Sequence, residues 1–182
     1  MREREIRYCT TEDGVRIAYC VDGEGPPLVS CPHLFESFSL EYLFPQLSEI
    51  RRLIGQGRQV VRYDARGTGL SQREVGDVSP AALVLDLEAV VRAAAVAPFA
   101  LTGTAFSGAR AIEYTVRHPD SVTHLILWGA YRRFADFISG DQLRVFLELA
   151  RADWSVAVQL SWIANSERAG KCQTPICLDL AG

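Results

Sequence analysis

The sequence alternates short apolar segments with amphipathic segments of helical spacing, and this alternation constrains the fold more than any other feature. Short apolar runs are typical of buried strands, and apolar residues at i, i+3, i+4 and i+7 indicate helices. Strands that alternate with helices predict βαβ units and a parallel sheet. The strands predicted in this part of the chain are Pro27–Cys31, Gln59–Tyr63, Phe99–Thr102 and Val122–Trp128.

The amino-terminal segment has a different pattern, in which apolar and polar residues alternate one by one. Ile6–Cys9 and Val15–Val21 show this pattern, with Asp13-Gly14 between them. Two such segments around an Asp-Gly turn predict a β-hairpin. The predicted fold class is therefore α/β, with a mostly parallel sheet of about six strands, an N-terminal antiparallel hairpin and flanking helices.

The apolar stripes also predict which helix faces point inward. Ser79-Pro80 predicts a helix start with an N-cap serine and proline in the first turn. The other predicted helices are Pro45–Gly57, with Leu47, Ile50, Leu53 and Ile54 inward; a helix after Gly103, with Ala111, Ile112, Thr115 and Val116 inward; and Asp141–Leu160. Residues 1–160 are predicted to form one core, and residues 161–182 an atypical tail in which Thr174–Leu178 resembles the start of a strand.

Composition limits the partners and the compartment. The 182 residues carry 19 basic and 22 acidic side chains, a net charge of −3, which argues against a nucleic-acid partner. No apolar run reaches the length of a membrane helix, and the charged amino terminus does not resemble a signal peptide, so a cytoplasmic location without membrane contact is expected. Five cysteines without a CxxC pair or zinc spacing predict no metal, and no cofactor motif is present.

Two motifs carry chemical information. One is Tyr63–Ser71, directly after a predicted strand, with the pattern D-x-R-G-x-G-x-S; the other is Leu101–Ile112, where a strand turns into a helix. Neither fits a phosphate-binding P-loop or a dinucleotide-binding turn. With the hairpin and the following strand, these motifs resemble the α/β-hydrolase superfamily, and in particular its peptidase- and esterase-like members, over about residues 6 to 160.

The resemblance implies a nucleophile on a strained turn between strand and helix, in the pattern G-x-S-x-G. The corresponding residues here are Gly103-Thr104-Ala105-Phe106-Ser107. Ala105 therefore stands at the nucleophile position, and Ser107 replaces the second glycine. A methyl group cannot attack a carbonyl, so acyl-enzyme chemistry is not expected; Ser107 as a displaced nucleophile is the minor alternative. The serine also predicts that the turn has lost its tight geometry.

The remaining family positions receive weaker assignments. In the family the acid and the histidine come from later strands, beyond what this sequence supplies, so the chain is expected to be C-terminally truncated. His118 and His124 follow Ala105, but both are predicted at the wrong end of the sheet. His33 and Leu34 occupy the loop where the family has its oxyanion segment, and with Phe106 they are the candidate pocket residues. Asp64, Arg66 and Ser71 are predicted to stabilise a loop.

These observations predict a catalytically impaired or truncated hydrolase, whose parent reaction is hydrolysis of an ester or amide of a small molecule. The alternative is a non-catalytic module of the same fold that binds a small apolar ligand or another protein. A third hypothesis is an active hydrolase with a non-standard nucleophile or a triad completed by another chain. The exposed edge of an incomplete sheet further predicts a homo-oligomer.

Overall fold

The structure is a computed structural model that describes residues 4–33, 36–43, 45–131, 139–157, 159–160 and 176–180. The strands of these residues form one sheet in the order β1-β2-β4-β3-β5-β6-β7. The strands are β1 Arg7–Thr10, β2 Arg16–Asp22, β3 Pro27–Ser30, β4 Gln59–Tyr63, β5 Phe99–Thr104, β6 Val122–Trp128 and β7 Ile176–Asp179. The helices are α1 Pro45–Ile54, α2 Pro80–Ala94, α3 Ser107–Arg117 and α4 Gly140–Ala152, with 3-10 turns at Phe38–Leu43 and Pro119–Ser121.

The four central strands are parallel, and antiparallel strands flank them on both sides. β4, β3, β5 and β6 pair in parallel, whereas β1 and β2 form the amino-terminal hairpin and β2 runs antiparallel to β4. The α/β class, the hairpin and the parallel centre are therefore confirmed. The described residues form seven strands where about six were predicted; the seventh, β7, lies in the tail segment and pairs antiparallel with β6.

The main core lies between the sheet and helices α2 and α3. Apolar side chains of alternate strand positions point to this layer, as the period of two in a strand requires. Its most buried members are Ile17, Val29, Val61, Val84, Leu87, Val90, Phe99, Leu101 and Ala111. Helix α2 begins with the predicted cap, because the Ser79 hydroxyl accepts a hydrogen bond from the Ala82 amide and Pro80 opens the helix.

The predicted end of α1 and the predicted inward faces of α1 and α3 were wrong in part. Helix α1 ends at Ile54 rather than Gly57, and Leu53 and Ile54 are exposed. In α3, Ile112 and Val116 are also exposed. The residues that α3 buries are instead Ser107, Gly108, Arg110, Ala111 and Tyr114.

The helix predicted from Asp141 to Leu160 is interrupted. Helix α4 begins after Ser139, which forms a capping box with Gln142, and it ends at Ala152. The extended backbone of Asp153 separates it from a further helical turn at residues 154–157. The Asp153 carboxylate accepts hydrogen bonds from the amides of residues 155 and 156, which is how an aspartate caps a new helical turn.

Candidate functional site

The sheet has its topological switch point between β3 and β5. From β3 the chain crosses through α1 to β4 on one side, and then through α2 to β5 on the other side. Loops that leave such a pair of strands in opposite directions open a crevice at the carboxyl ends of the strands, where α/β proteins place their ligands. The loops after β3, β4 and β5 contain most of the predicted site residues.

The turn between β5 and α3 has a strained backbone at its tip. Ala105 has φ +47°, a left-handed conformation that costs an alanine roughly 1–2 kcal/mol. Its amide donates to the Trp128 carbonyl over 3.0 Å, and its carbonyl accepts from the Gly108 amide over 3.2 Å. These two bonds tie the tip of the turn to β6 and to the first turn of α3.

Close packing of α3 on β5 also constrains this turn. A Cβ atom on Gly103 would lie 2.8 Å from the Gly108 Cα and 2.9 Å from the Ala111 Cβ. The prediction that Ser107 loosens the turn is therefore wrong. The tight strand-turn-helix geometry is present, with alanine at its tip.

Ser107 lies beneath the turn rather than on it. Its side chain is fully buried. The hydroxyl oxygen accepts a hydrogen bond from the Thr104 amide at 2.9 Å and lies within donating distance of the carbonyl oxygens of Thr104, 3.0 Å, and Cys31, 3.3 Å. Ser107 thus connects the β5–α3 turn to the end of β3, and brings the two loops of the switch point together.

The loop after β3 contributes His33 to the same region. Its amide donates to the Glu36 carboxylate over 3.2 Å, and Glu36 forms an ion pair with Arg51 of α1. Burial lowers the pKa of His33 below its ordinary value, so the neutral imidazole is favoured. Leu34 lies outside the described residues. The Phe106 ring, on the other side of the switch point, lies 6.3 Å from the Tyr131 ring between centroids.

Asp64 organises the loops after β3 and β4. The carboxylate is almost completely buried and accepts hydrogen bonds from the amides of Phe38, 2.8 Å, and Leu70, 2.7 Å. Gly69 is required beside it, because a Cβ there would lie 1.9 Å from the Asp64 Oδ2 and the backbone has φ +49°. Ser71 completes the loop: its hydroxyl donates to the Asp64 carbonyl over 2.7 Å and accepts from the Ala18 amide over 2.8 Å.

Arg66 of the same loop connects the hairpin to α2. Its guanidinium donates to Asp86 of α2 through Nε over 2.8 Å, and to both carboxylate oxygens of Asp13 through Nη1, 2.6 Å, and Nη2, 2.9 Å. The side chains of Arg66 and Asp86 are both fully buried. Arg66 lowers the pKa of Asp13 to about 2. The contacts described for the loop after β4 therefore lie within and beneath the loops at the carboxyl ends of the strands. The residues that make them are Asp64, Arg66 and Ser71.

The family assignment follows from this geometry and from the sequence comparison. The family described as "Serine aminopeptidase, S33" matches residues 48–170, which are 123 of the 182 residues. The chain belongs to this family. It is therefore an α/β hydrolase by fold, and the strained turn at Ala105 lies between β5 and α3, where the resemblance predicts the nucleophile elbow.

Individual relatives agree with the family. The chain is 27% identical over 140 residues to pyrrolizixenacetamide deacetylase of Xenorhabdus hominickii. The aligned region covers 76% of this chain and 50% of the deacetylase. An esterase from Exiguobacterium antarcticum superposes with a TM-score of 0.65 at 21% identity over 82% of this chain and 57% of the esterase. A hydrolase from Pseudomonas aeruginosa superposes with a TM-score of 0.60 at 22% identity, over 79% of this chain and 53% of the hydrolase. The chain thus spans about half the length of these relatives.

The resemblance implies a histidine as general base, but His118 and His124 lie toward the amino-terminal end of β6. His118 follows α3, where its Nε2 lies 2.9 Å from Glu88 of α2 and its ring packs on Tyr114. His124 is the third residue of β6, and its Nε2 lies 3.6 Å from the Asp179 carboxylate of β7. Since the elbow follows the carboxyl end of β5, neither imidazole lies beside Ala105.

A buried polar cluster behind the elbow was missed at the sequence level. Arg110 of α3 is buried and donates through Nη1 to the Tyr63 hydroxyl over 3.3 Å. Burial raises the pKa of the neighbouring Cys31 thiol to about 11. The spacing Ser107, Arg110, Ala111, Tyr114 is i, i+3, i+4 and i+7, so the inward face could have been recognised if the polar residues had been included.

No three His, Cys, Asp or Glu side chains in the described ranges come together as a metal site. None of the described helices combines the length and hydrophobicity that a bilayer span needs.

Proposed function

We propose that the chain is a catalytically impaired member of its hydrolase family, with a parent activity of hydrolysing an ester or amide of a small molecule. The observation that carries the proposal is Ala105 at the tip of an intact elbow. The turn holds the position from which a nucleophile would attack, but a methyl group has no lone pair to donate. The amide chemistry named for the deacetylase relative supports a small amide or ester as the ligand.

The proposed remaining activity is ligand binding without turnover. Helix α3 begins shortly after the carboxyl end of β5, and a helix start favours an oxygen with partial negative charge. Phe106 stands beside this helix start and offers an apolar ring to the acyl part of a ligand. This arrangement supports binding of a small apolar ester or amide. We favour ligand binding over a purely structural role for this chain, because the strained turn is retained although it has no nucleophile.

Esterase assays test the catalytic part of the proposal. We expect the purified chain to hydrolyse p-nitrophenyl acetate no faster than a heat-treated sample, and to show no labelling by a fluorophosphonate probe. Ser107 is not expected to replace the missing nucleophile, since its hydroxyl is buried and engaged with backbone groups. Turnover above the control that disappears in Ser107→Ala would contradict the proposal and establish a displaced nucleophile.

A binding measurement tests the remaining activity. We expect short-chain aryl amides to bind saturably in calorimetric titration, and Phe106→Ala to weaken this binding about tenfold, equivalent to about 1.4 kcal/mol. Ile112→Ala is the matched control, because Ile112 is an exposed apolar residue of the same helix. Equal affinities in both variants, or no saturable binding by the parent chain, would contradict a ligand site at the elbow.

The proposal includes a cytoplasmic location and no nucleic-acid or membrane partner. The net charge of −3 supports the absence of a nucleic-acid partner. The location is supported by free thiols, which are typical of a reducing compartment and are present at Cys9, Cys20, Cys31 and Cys177.

A further inference from the structure

The buried face of α3 carries a positive charge close to the β5–α3 turn. Arg110 is only 6% exposed, and its Nη1 donates to the Tyr63 hydroxyl over 3.3 Å. Its buried Nε has no hydrogen-bond partner, and no carboxylate among the residues that the structure describes forms an ion pair with its guanidinium. A guanidinium is charged at every ordinary pH, and burying a charge costs free energy unless an opposite charge compensates it.

The groups around Arg110 supply little of this compensation. Burial raises the pKa of the Tyr63 phenol well above its ordinary value and that of the Cys31 thiol to about 11, so both groups are neutral near pH 7. The carboxylate that interacts electrostatically with Arg110 is that of Asp86. Its two oxygens already accept hydrogen bonds from the side chain and the amide of Arg66, over 2.8 and 2.9 Å.

This charge lies beside the carboxyl ends of the central strands. Tyr63, which Arg110 contacts, is the last residue of β4. Ser107 precedes Arg110 by one turn on the buried face of α3, and its hydroxyl lies 3.3 Å from the Cys31 carbonyl just after β3. Side chains of a helix lean toward its amino-terminal end, where the helix dipole is also positive. Two positive contributions therefore meet near the switch point of the sheet, where α/β proteins place their ligands.

The acidic side chains of this sheet edge have other partners. Glu36 forms an ion pair with Arg51, and the Asp64 carboxylate accepts hydrogen bonds from two backbone amides. Because Asp64 directly follows Tyr63 along an extended chain, their side chains point to opposite faces of the sheet. The negative charge of Asp64 therefore lies across the sheet from Arg110.

We propose that the buried charge of Arg110 makes the β5–α3 turn a site for a carboxylate, so that this chain binds the acid released by ester or amide hydrolysis more tightly than the ester or amide itself. The inference rests on the proposed ligand site at this turn and assigns the class of its ligand. A unit charge within about two helical turns changes the affinity for an anion about tenfold at an effective dielectric constant of about 20. Arg110 thus determines specificity through its charge.

Paired calorimetric titrations with benzoate and benzamide test this preference in the parent chain. The two compounds have nearly the same shape, and at pH 7 only benzoate is charged. We expect benzoate to bind about tenfold more tightly than benzamide. Binding of benzamide with equal or higher affinity would overturn this inference but would support the proposed ligand site. Absence of saturable binding by both compounds would contradict the ligand site and this inference together.

Variants of Arg110 separate its charge from its packing. Arg110→Met removes the charge and keeps most of the length of the side chain, and a core accepts an apolar group more readily than an unpaired charge. We expect this variant to reduce the preference for benzoate to about twofold or less, and Arg110→Lys, which keeps the charge, to retain it. A purely structural role of Arg110 would change the affinities for both compounds equally and leave their ratio unchanged.

Arg117→Met is the matched control, because Arg117 belongs to the same helix and its side chain is 40% exposed. Solvent screens an exposed charge, so this variant should retain the preference for benzoate. Circular dichroism establishes whether each variant is folded, and the ratio in the parent chain tests the inference even if Arg110→Met does not fold. A preference that persists in Arg110→Met, or that Arg117→Met removes to the same extent, would overturn the assignment to Arg110.

Discussion

Replacing Arg66 with alanine is expected to lower the free energy of unfolding by about 3–5 kcal/mol, as expected when one partner of a buried ion pair is removed. The Asp86 carboxylate accepts from the Arg66 side chain over 2.8 Å and from its amide over 2.9 Å, and both side chains are fully buried. The variant leaves Asp86 in the core with only the backbone bond. It also releases Asp13, and with it the connection of the hairpin to α2. Urea denaturation followed by circular dichroism measures the loss.

The same variant has an expected pH dependence. The hydrogen bond from Arg66 holds the pKa of Asp13 at about 2, below its ordinary value of 3.8. This contribution is present above pH 3.8 and is lost as the pH falls toward 2. The stability difference between parent and variant should therefore narrow over this range. Asp86 also narrows the difference in the free energy of unfolding at low pH. In the variant its buried carboxylate has lost the guanidinium, and protonation removes the cost of burying that negative charge.

An exposed ion pair provides the matched control for Arg66. Arg117 and Glu113 lie one turn apart on α3 at 2.5 Å, with side chains 40% and 38% exposed. Arg117→Ala should cost no more than about 0.5 kcal/mol, because solvent screens such pairs. Similar losses in Arg66→Ala and Arg117→Ala would show that the buried network contributes no more than a surface pair.

The parts of the fold that could be predicted are those set by neighbouring residues. The hairpin follows from strict alternation around Asp13-Gly14, and the start of α2 from the cap at Ser79-Pro80. The direction of β7 could not be predicted, because Ile176–Asp179 has no local feature that distinguishes a parallel from an antiparallel partner. Its pairing with β6 depends on contacts between residues about 50 positions apart.

The place of the turn between β5 and α3 was predicted, but its conformation was not. The motif correctly indicated where β5 turns into α3, whereas the substitution at Ser107 suggested a loosened turn. The structure keeps the turn because the Ser107 hydroxyl forms its bonds inside it, and because the backbone bonds of Ala105 to Trp128 and Gly108 hold its positive φ. Arg110 was overlooked because a charged residue is rarely assigned to a buried helix face.

Replacing Gly103 with alanine is expected to destabilise the protein by about 1–3 kcal/mol, the typical cost of overpacking a core. The added methyl group would lie 2.8 Å from the Gly108 backbone and 2.9 Å from the Ala111 side chain. Neither neighbour can yield by rotating a flexible side chain, so α3 must move away from β5. Because Ala105 lies between these two elements, the same shift should disturb the elbow and lower the affinity for any ligand that binds there.

Gly76→Ala separates this steric effect from the general effect of replacing glycine. Gly76 has no atom within 4 Å of an added Cβ, so its replacement should change the free energy of unfolding by no more than about 0.5 kcal/mol. Both variants restrict the unfolded chain to a similar extent, and their difference therefore reports the contact between α3 and β5. If Gly103→Ala is no less stable than Gly76→Ala, the close contact that fixes the elbow is not a constraint in solution.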